Sequence, residues 1–521
     1  MISRRKFVAL SAGGVAAAMA GCDRSARELT QDLRRFIGKP EAAVLEGDLT
    51  APALAELDSI SHAIGRLTFG TRPGEYARVA KMGVAAFIEE QLAPEKIGDD
   101  QCERVVRHEF EELGDPEGHL FAGLIGGNGD PIQQMFPTLA ESSSGRVGDL
   151  YEFKEKVLLQ DLTRARILRA VLSRRQLFEV MVDFWSDHFN IDPSKGDAKW
   201  LKAADDRAVI RKHALGSFTE MLRASALSPA MLWYLDGRVN ALHKPGDKPN
   251  ENYARELMEL HTLGVHGGYT QQDVMEVARC LTGWSVREKK ALRRGAVEFH
   301  KNAHDDGAKV VLGQAIPAGL GMGDLDRVLK ILVAHSATAT YIATKLCTRF
   351  IADEPPAAAV SATAAAFAQS HGDIRTTLRA LFARPEFAAA KGVKLKRPFH
   401  FVVSALRGLN ARTDAGKPIV DALQRMGHAP FRYPTPDGYP EEAPHWTGTL
   451  LWRWNFSLAL AQGKMKGTEF APQELLGAVG SDAALIATLL GRLPSDAELR
   501  ACRESGSALA VALASPAFQR C

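Results

Sequence analysis

Apolar positions recur along most of the chain at helical spacing, with Pro and Gly falling one to two helix lengths apart and no long alternating runs. This pattern predicts a mainly α-helical protein, a large multi-helix globular domain with a small β-hairpin. Residues 59–519 exceed the roughly 250–300 residues that one core usually organises, which leaves room for two packed helical subdomains. Val84, Phe87, Ile88 and Leu92 predict a short helix ending before Pro94. Ser173 with Gln176 reads as a capping box opening a helix that carries Leu177, Met181, Phe184, Trp185 and His188. Asn250 is expected to cap a helix running to Gly264, and Thr270 with Asp273 to open another carrying Val274, Val277, Cys280 and Leu281. Helix resumes over 373–387 and 399–409. Val297-Glu298-Phe299 and Lys309-Val310-Val311-Leu312, on either side of His304-Asp305-Asp306-Gly307, predict the hairpin, and Pro and Gly hold 433–440 in a loop.

The first residues do not belong to this pattern. Ser3-Arg4-Arg5-Lys6-Phe7, followed by small and apolar residues to Gly21, reads as a twin-arginine signal peptide. The apolar run is too short and too rich in Gly and Ala for a membrane span, which takes about 20 strongly apolar residues. Met19-Ala20-Gly21-Cys22 is similar to a bacterial lipobox and predicts acylation of Cys22, and Asp23 points to retention at the inner membrane. The expected organisation is a signal at 1–21, a polar tether at 22–58 and the helical domain at 59–519, held in the periplasm on the membrane by lipid. Export of an already folded chain raises the expectation of a bound metal or prosthetic group.

Acids and bases nearly balance at a formal charge of +3, so no global field selects nucleic acid. The basic run at Arg287, Lys289, Lys290, Arg293 and Arg294 reads as a solvated loop. Cys102, Cys280, Cys347, Cys502 and Cys521 are too scattered for a disulfide framework or a zinc ribbon, although one bridge is allowed.

Candidate chemistry lies where polar side chains interrupt apolar pattern. The densest cluster runs from Asn250 through Asn252, Tyr253, Arg255, Glu256 and Glu259 to His261. At about 100° per residue, Tyr253, Leu257 and Leu260 form a buried stripe, with Glu256 and His261 on its opposite shoulders about 140° apart. Glu259 reads as a surface ion-pair partner of Arg255, and Glu256 either as a hydrogen-bond hub or as a metal ligand or acid–base group. His188 returns to the middle of an apolar face, as a core histidine or a ligand, and Trp185 reads as core before cofactor platform. His304 and Asp305 occupy a turn that would complete a site. Tyr439, with His445 and Trp446, belongs to a loop suited to a lid or a sugar platform. Phosphate loops, dinucleotide fingerprints, haem attachment, His-Glu-x-x-His and Gly-x-Ser-x-Gly are all absent from the sequence.

The run from Asn250 to Gly264, Gly267-Gly268-Tyr269-Thr270, Leu281-Thr282-Gly283-Trp284, the Phe184–Phe189 block, His304-Asp305 with Gly307 and Lys309, Lys396-Arg397-Pro398-Phe399 and Pro434 to Pro440 resemble the domain-of-unknown-function 1800 family of exported bacterial proteins. The resemblance spans nearly the whole chain after Ser59. It implies a large helical protein exported by the twin-arginine route, encoded beside a second exported family similar to sulfatases and alkaline phosphatases. It supplies no reaction and no catalytic residue.

Two readings follow. In the first, the chain is an envelope enzyme acting on envelope or extracellular polymer or small molecules, hydrolytic or oxidative, with Glu256 as acid–base group or ligand. His188, His261 and His304 then hold a divalent metal such as zinc, iron or manganese. In the second, it is a non-catalytic scaffold, chaperone or polysaccharide-binding partner of the sulfatase-like protein. Convergence of the four side chains on an open pocket separates the two.

Overall fold

The computed structural model describes residue 45 and residues 48–109, 144–287 and 295–521, with backbone alone for 108–109 and 144–157. The expected signal sequence at 1–21, Cys22 and most of the expected tether at 22–58 lie outside the described residues, as do Lys289, Lys290, Arg293 and Arg294.

Helices begin where a short polar side chain can satisfy the free amides of a first turn. Asp58 accepts from the Ser61 N–H at 2.7 Å and starts Ser59–Leu67. Asp373 does the same for Ile374–Phe382 through Thr376. Thr270 and Asp273 form the expected reciprocal box at the head of Gln271–Cys280. Ser173 departs from expectation. Its hydroxyl accepts from Arg175 and donates to Asp99 at 2.7 Å, and Arg175 is the residue that precedes the Gln176–His188 helix. The Gln176 amide instead bonds the carbonyls of Ala170 and Ser173 and accepts from the Phe69 N–H at 3.0 Å, joining this helix start to a distant segment.

The Asn252–Glu259 helix is shorter than the apolar period predicts. Asn250 accepts from the Asn252 N–H at 3.0 Å, but the far end unwinds well before Gly264. There the His261 N–H reaches back five residues to the Glu256 carbonyl at 3.0 Å, and Leu263 reaches Met258 at 2.8 Å. This wide turn rotates His261 off the predicted shoulder and into the interior, where it is fully buried.

Described residues form twenty-three α-helices and three two-stranded antiparallel ribbons. The expected hairpin is replaced by two. Val297–Phe299 pairs with Trp284–Val286, and Lys309–Val311 pairs with Gln314–Ile316. The second ribbon closes through Leu312 and Gly313, both at positive φ (49° and 74°), a primed two-residue turn whose twist matches the strands. The Asp306-Gly307 turn closes neither ribbon.

Buried apolar side chains from Ala63 to Phe518 form one continuous cluster. The five described cysteines are free, and Cys102, Cys280, Cys347 and Cys502 are buried in it as small hydrophobes. Among the described residues no single helix is long and apolar enough to cross a membrane.

Candidate acid–base site

Asp183 and Asp187 stand one turn apart on the Gln176–His188 helix, an i,i+4 arrangement of like charges that requires a cation. Arg397, just before the Pro398–Gly408 helix, supplies it. Its guanidinium donates to Asp187 at 2.7 Å and Asp183 at 2.5 Å. Arg349, from the Ser336–Phe350 helix, meets Glu441 through both carboxylate oxygens at 3.2 Å and approaches Asp183 at 3.4 Å. Lys394 bonds Asp353 at 2.5 Å and the Glu441 carbonyl at 3.1 Å. Burial alone would raise the Glu441 carboxyl, but Arg349, Arg397 and Lys394 outweigh it and bring its pKa to about 2. Asp187 goes the other way. Burial and the neighbouring Asp183 and Glu441 charges lift it well above the carboxylate range in spite of Arg397.

This network seats the loop at 433–440. The Asn190 amide donates to the Tyr433 and Thr435 carbonyls at 3.0 and 2.7 Å, and the Tyr234 hydroxyl to Pro434 at 2.9 Å. Gly438, at φ +74°, lies so close to the Asp187 carbonyl that a Cβ there would stand 2.1 Å from its oxygen. Tyr439 is buried, not presented to solvent. Its hydroxyl donates to the Ala429 carbonyl at 2.8 Å, and its ring packs on His428 and Tyr433. Trp446 stacks on the same histidine at 4.9 Å, so these aromatics build the loop's foundation and offer no open platform.

Asp437 is the exposed tip of the loop, and its charge is felt on four sides. It raises Tyr341, Tyr234 and Glu256 and opposes the loss of charge at Lys345. Glu256 is half-buried and its carboxylate accepts no hydrogen bond among the described residues. Burial raises its pKa, and the charges of Glu259 and Asp437 add to the rise. Half-buried Lys345 has its ammonium 5.6 Å from the Tyr341 ring centre and forms no ion pair among the described residues. Burial lowers its pKa against the pull of Asp187, Glu441, Asp437 and Glu442. The same surroundings raise a carboxyl and lower an amine, so each shift favours the neutral form of its group.

His188 and His261 lie with ring centres 6.2 Å apart, walled by Phe184, Trp185, Phe189, Phe218, Tyr253 and Tyr341. His188 Nε2 bonds the His261 carbonyl at 3.2 Å, while His188 Nδ1 and both ring nitrogens of His261 have no hydrogen-bond partner among the described residues. Burial lowers both pKa values, that of His261 to about 3, so both rings are neutral.

His304 does not join them. It is buried against Asp324, with Nε2 3.2 Å from a carboxylate oxygen that also pairs with Lys309 at 2.6 Å, and its Nδ1 lies 2.9 Å from the Thr282 carbonyl. No hydrogen bond, ion pair or ring contact links it to Glu256, His188 or His261. Among the described residues no group of three or more His, Cys, Asp or Glu side chains is arranged to hold a metal ion. The expected ligand set of His188, His261 and His304 therefore does not assemble, and no step below runs through zinc, iron or manganese.

The other predicted residues have local partners. Arg255 pairs with Glu251 at 2.9 Å instead of Glu259, which accepts from Tyr269 at 3.3 Å. Asn252 donates to the Leu235 carbonyl at 3.0 Å. Asp305 is gripped by Arg279, whose side-chain hydrogen bond lowers its pKa. Trp185 is core, its indole N–H on the Ala214 carbonyl at 3.0 Å. Sequence reading missed Lys345, Asp437, Arg397 and Asp187. Of these, Asp187 carried a signal, the uncompensated i,i+4 pair with Asp183.

Neither a curated protein nor a solved structure matches the chain. The family model described as a protein of unknown function (DUF1800) matches residues 62–520, which include every element of this site. The chain belongs to the DUF1800 family.

Proposed function

We propose that the chain is an exported envelope lipoprotein, anchored to the membrane through Cys22, and an enzyme acting on envelope or extracellular polymer with Glu256 as its proton-transferring group. The observation that carries this is a half-buried carboxylate without a hydrogen-bond partner, its pKa raised, beside the exposed Asp437 and across the same loop from a lysine of lowered pKa. Structural carboxylates in this protein look different, since Asp183, Asp187, Glu441 and Asp305 each hold a guanidinium. A group left unpaired next to like charges is destabilising unless it serves a reacting molecule. Hydrolysis of a glycosidic linkage uses such a proton donor with a second carboxylate, for which Asp437, whose charge acts on Glu256, is the candidate.

The test uses isolated sacculi and extracellular polysaccharide as probes, with soluble fragments followed by mass spectrometry. Glu256→Gln is expected to cut fragment release by about 10²-fold or more while leaving the melting temperature unchanged or raised, because it removes a charge that Glu259 and Asp437 repel. Equal release by parent and variant, or none by the parent from either polymer, overturns the enzyme reading.

A second reading is favoured by the close packing. Two cavities among the described residues, of about 30 Å³ beside Ser61, His62 and Lys396 and about 10 Å³ beside Trp200 and Trp233, have room for little more than a water, and neither is lined by Glu256, Asp437 or Lys345. On that basis the protein is a non-catalytic scaffold or polysaccharide-binding partner of a sulfatase-like exported protein. It predicts polymer binding or co-purification with that partner, unchanged by Glu256→Gln.

A further inference from the structure

Large apolar side chains are concentrated on the outside of one helix. Leu450–Ala461 buries Arg453, Phe456, Ser457 and Leu460. Leu450 and Leu451 on its other side are 55% and 64% exposed, and Trp452 and Trp454 are 36% and 47% exposed. At about 100° per residue, Leu450, Leu451, Trp454 and the half-buried Leu458 form one stripe. Its direction is fixed. The buried Arg453 guanidinium donates to Gln519 at 2.7 Å, to the Lys396 carbonyl at 2.8 Å and to Thr449 at 2.9 Å, so the helix cannot roll to cover the stripe.

The surroundings say what covers it. From Ala443 to Thr468 the sequence contains Arg453, Lys464 and Lys466 but no Asp or Glu, in a chain where acids and bases are otherwise interspersed. Lys464 and Lys466 are exposed immediately beyond the helix, and exposed Arg425 lies 5.2 Å from the Trp452 ring centre. Leucine and tryptophan with cations at the rim are the composition of a surface that sinks into a headgroup layer.

The Leu54 carbonyl accepts from the Leu493 N–H at 2.7 Å beside the Asp482–Leu490 helix, and that helix and Leu450–Ala461 both pack on Ala508–Ala514. Upstream of Leu54 the chain runs back to Asp48 and Leu49, which lie against Gly74. The residues between Cys22 and Asp48 span at most about 85 Å when fully extended, so the stripe and a lipid on Cys22 can reach one bilayer.

We propose that the Leu450, Leu451 and Trp454 face is a membrane-binding surface that lies on anionic phospholipid and turns the domain to a fixed orientation. This rests on the lipid-anchored reading above. A single acyl-type anchor holds position; the stripe adds a second contact that sets which face of the domain meets the polymer outside.

The test separates the two. Fractionation of the acylated wild type with the membrane, and release of Cys22→Ser, examines the anchor alone. The stripe is examined with the exported Cys22→Ser chain, purified and mixed with vesicles of phosphatidylethanolamine and phosphatidylglycerol at 3:1. It is expected to float with the vesicles, and Leu451→Asp with Trp454→Asp to reduce flotation at least tenfold at unchanged melting temperature. No flotation of the Cys22→Ser chain overturns the proposal, as does flotation unaffected by the two substitutions. A Cys22→Ser chain that is dimeric, becomes monomeric on substitution and never floats shows that the stripe joins two copies, which also overturns it.

Discussion

Urea unfolding followed from pH 8 to pH 5 is expected to show a loss of several kcal/mol of stability, a large part of what holds an ordinary domain folded. Five histidines cause it. His62, His188, His261, His400 and His428 are all buried, and burial pushes each pKa down, that of His62 to about 4 and that of His261 to about 3. In the unfolded chain each titrates near 6.5. Because folding holds these rings neutral, the unfolded state binds more protons at every pH between 6.5 and the depressed native values. Their contribution is therefore complete above pH 6.5 and is lost as pH falls. At pH 5 the loss is about 2 kcal/mol for each of His62 and His261, and His188, His400 and His428 add to it in the same direction. Asp187, raised to about 7, acts oppositely and returns about 2–3 kcal/mol between pH 7 and pH 5, and the raised Glu256 acts in the same sense at lower pH. Two carboxyls do not offset five imidazoles. A stability that changes by less than about 1 kcal/mol between pH 7.5 and 5.5 would show that the rings are hydrated or paired in solution.

The same histidines show how far the residues alone can be read. Local chemistry was legible, as in the Thr270–Asp273 box, the Val84–Leu92 helix and the unstructured 433–440 loop, because each depends on neighbours a few residues away. The helical class followed from periodicity for the same reason. His261 was misplaced because one wide turn after Glu259 alters the angle of everything beyond it, and no propensity signals that turn. The hairpin failed on a choice between two turns. Asp306-Gly307 has the better composition, yet Leu312-Gly313 is used, because the Leu312 N–H is held by Asp273 at 2.7 Å from another element. Lys345 occupies an ordinary polar position of its helix, and only the fold brings Asp437, more than ninety residues later, within electrostatic reach. His304 carried the right chemistry in the wrong place. Its Asp324 and Lys309 partners make a buried structural cluster, which composition cannot distinguish from a metal site.

Arg397→Met is expected to destabilise the protein by about 3–5 kcal/mol, the effect of removing one partner from a buried charge network. Arg397 is 2% exposed and holds Asp183, Asp187 and, at 3.4 Å, Glu441. Without it Asp187 loses its guanidinium and Arg349 is left to hold Asp183 and Glu441, and the 433–440 loop loses the side chain that fixes the helix end beneath Gly438. Arg397→Lys should recover only part of the loss, because an ammonium cannot present the planar fork that reaches two aspartates at once. Adding Asp187→Asn to Arg397→Met should restore stability relative to the single variant by relieving one unpaired charge. The exposed pair of Arg223 and Asp326, 2.7 Å apart, is the control, and its removal is expected to change stability by less than about 1 kcal/mol. Equal effects of the two sites on the urea midpoint would mean that the network is solvated and does not organise the loop. If the network does organise it and the proposed hydrolysis holds, Arg397→Lys also slows fragment release from polymer without touching Glu256, because Asp437 then loses its place in the loop. That result would tie the buried ions to Glu256 and Asp437.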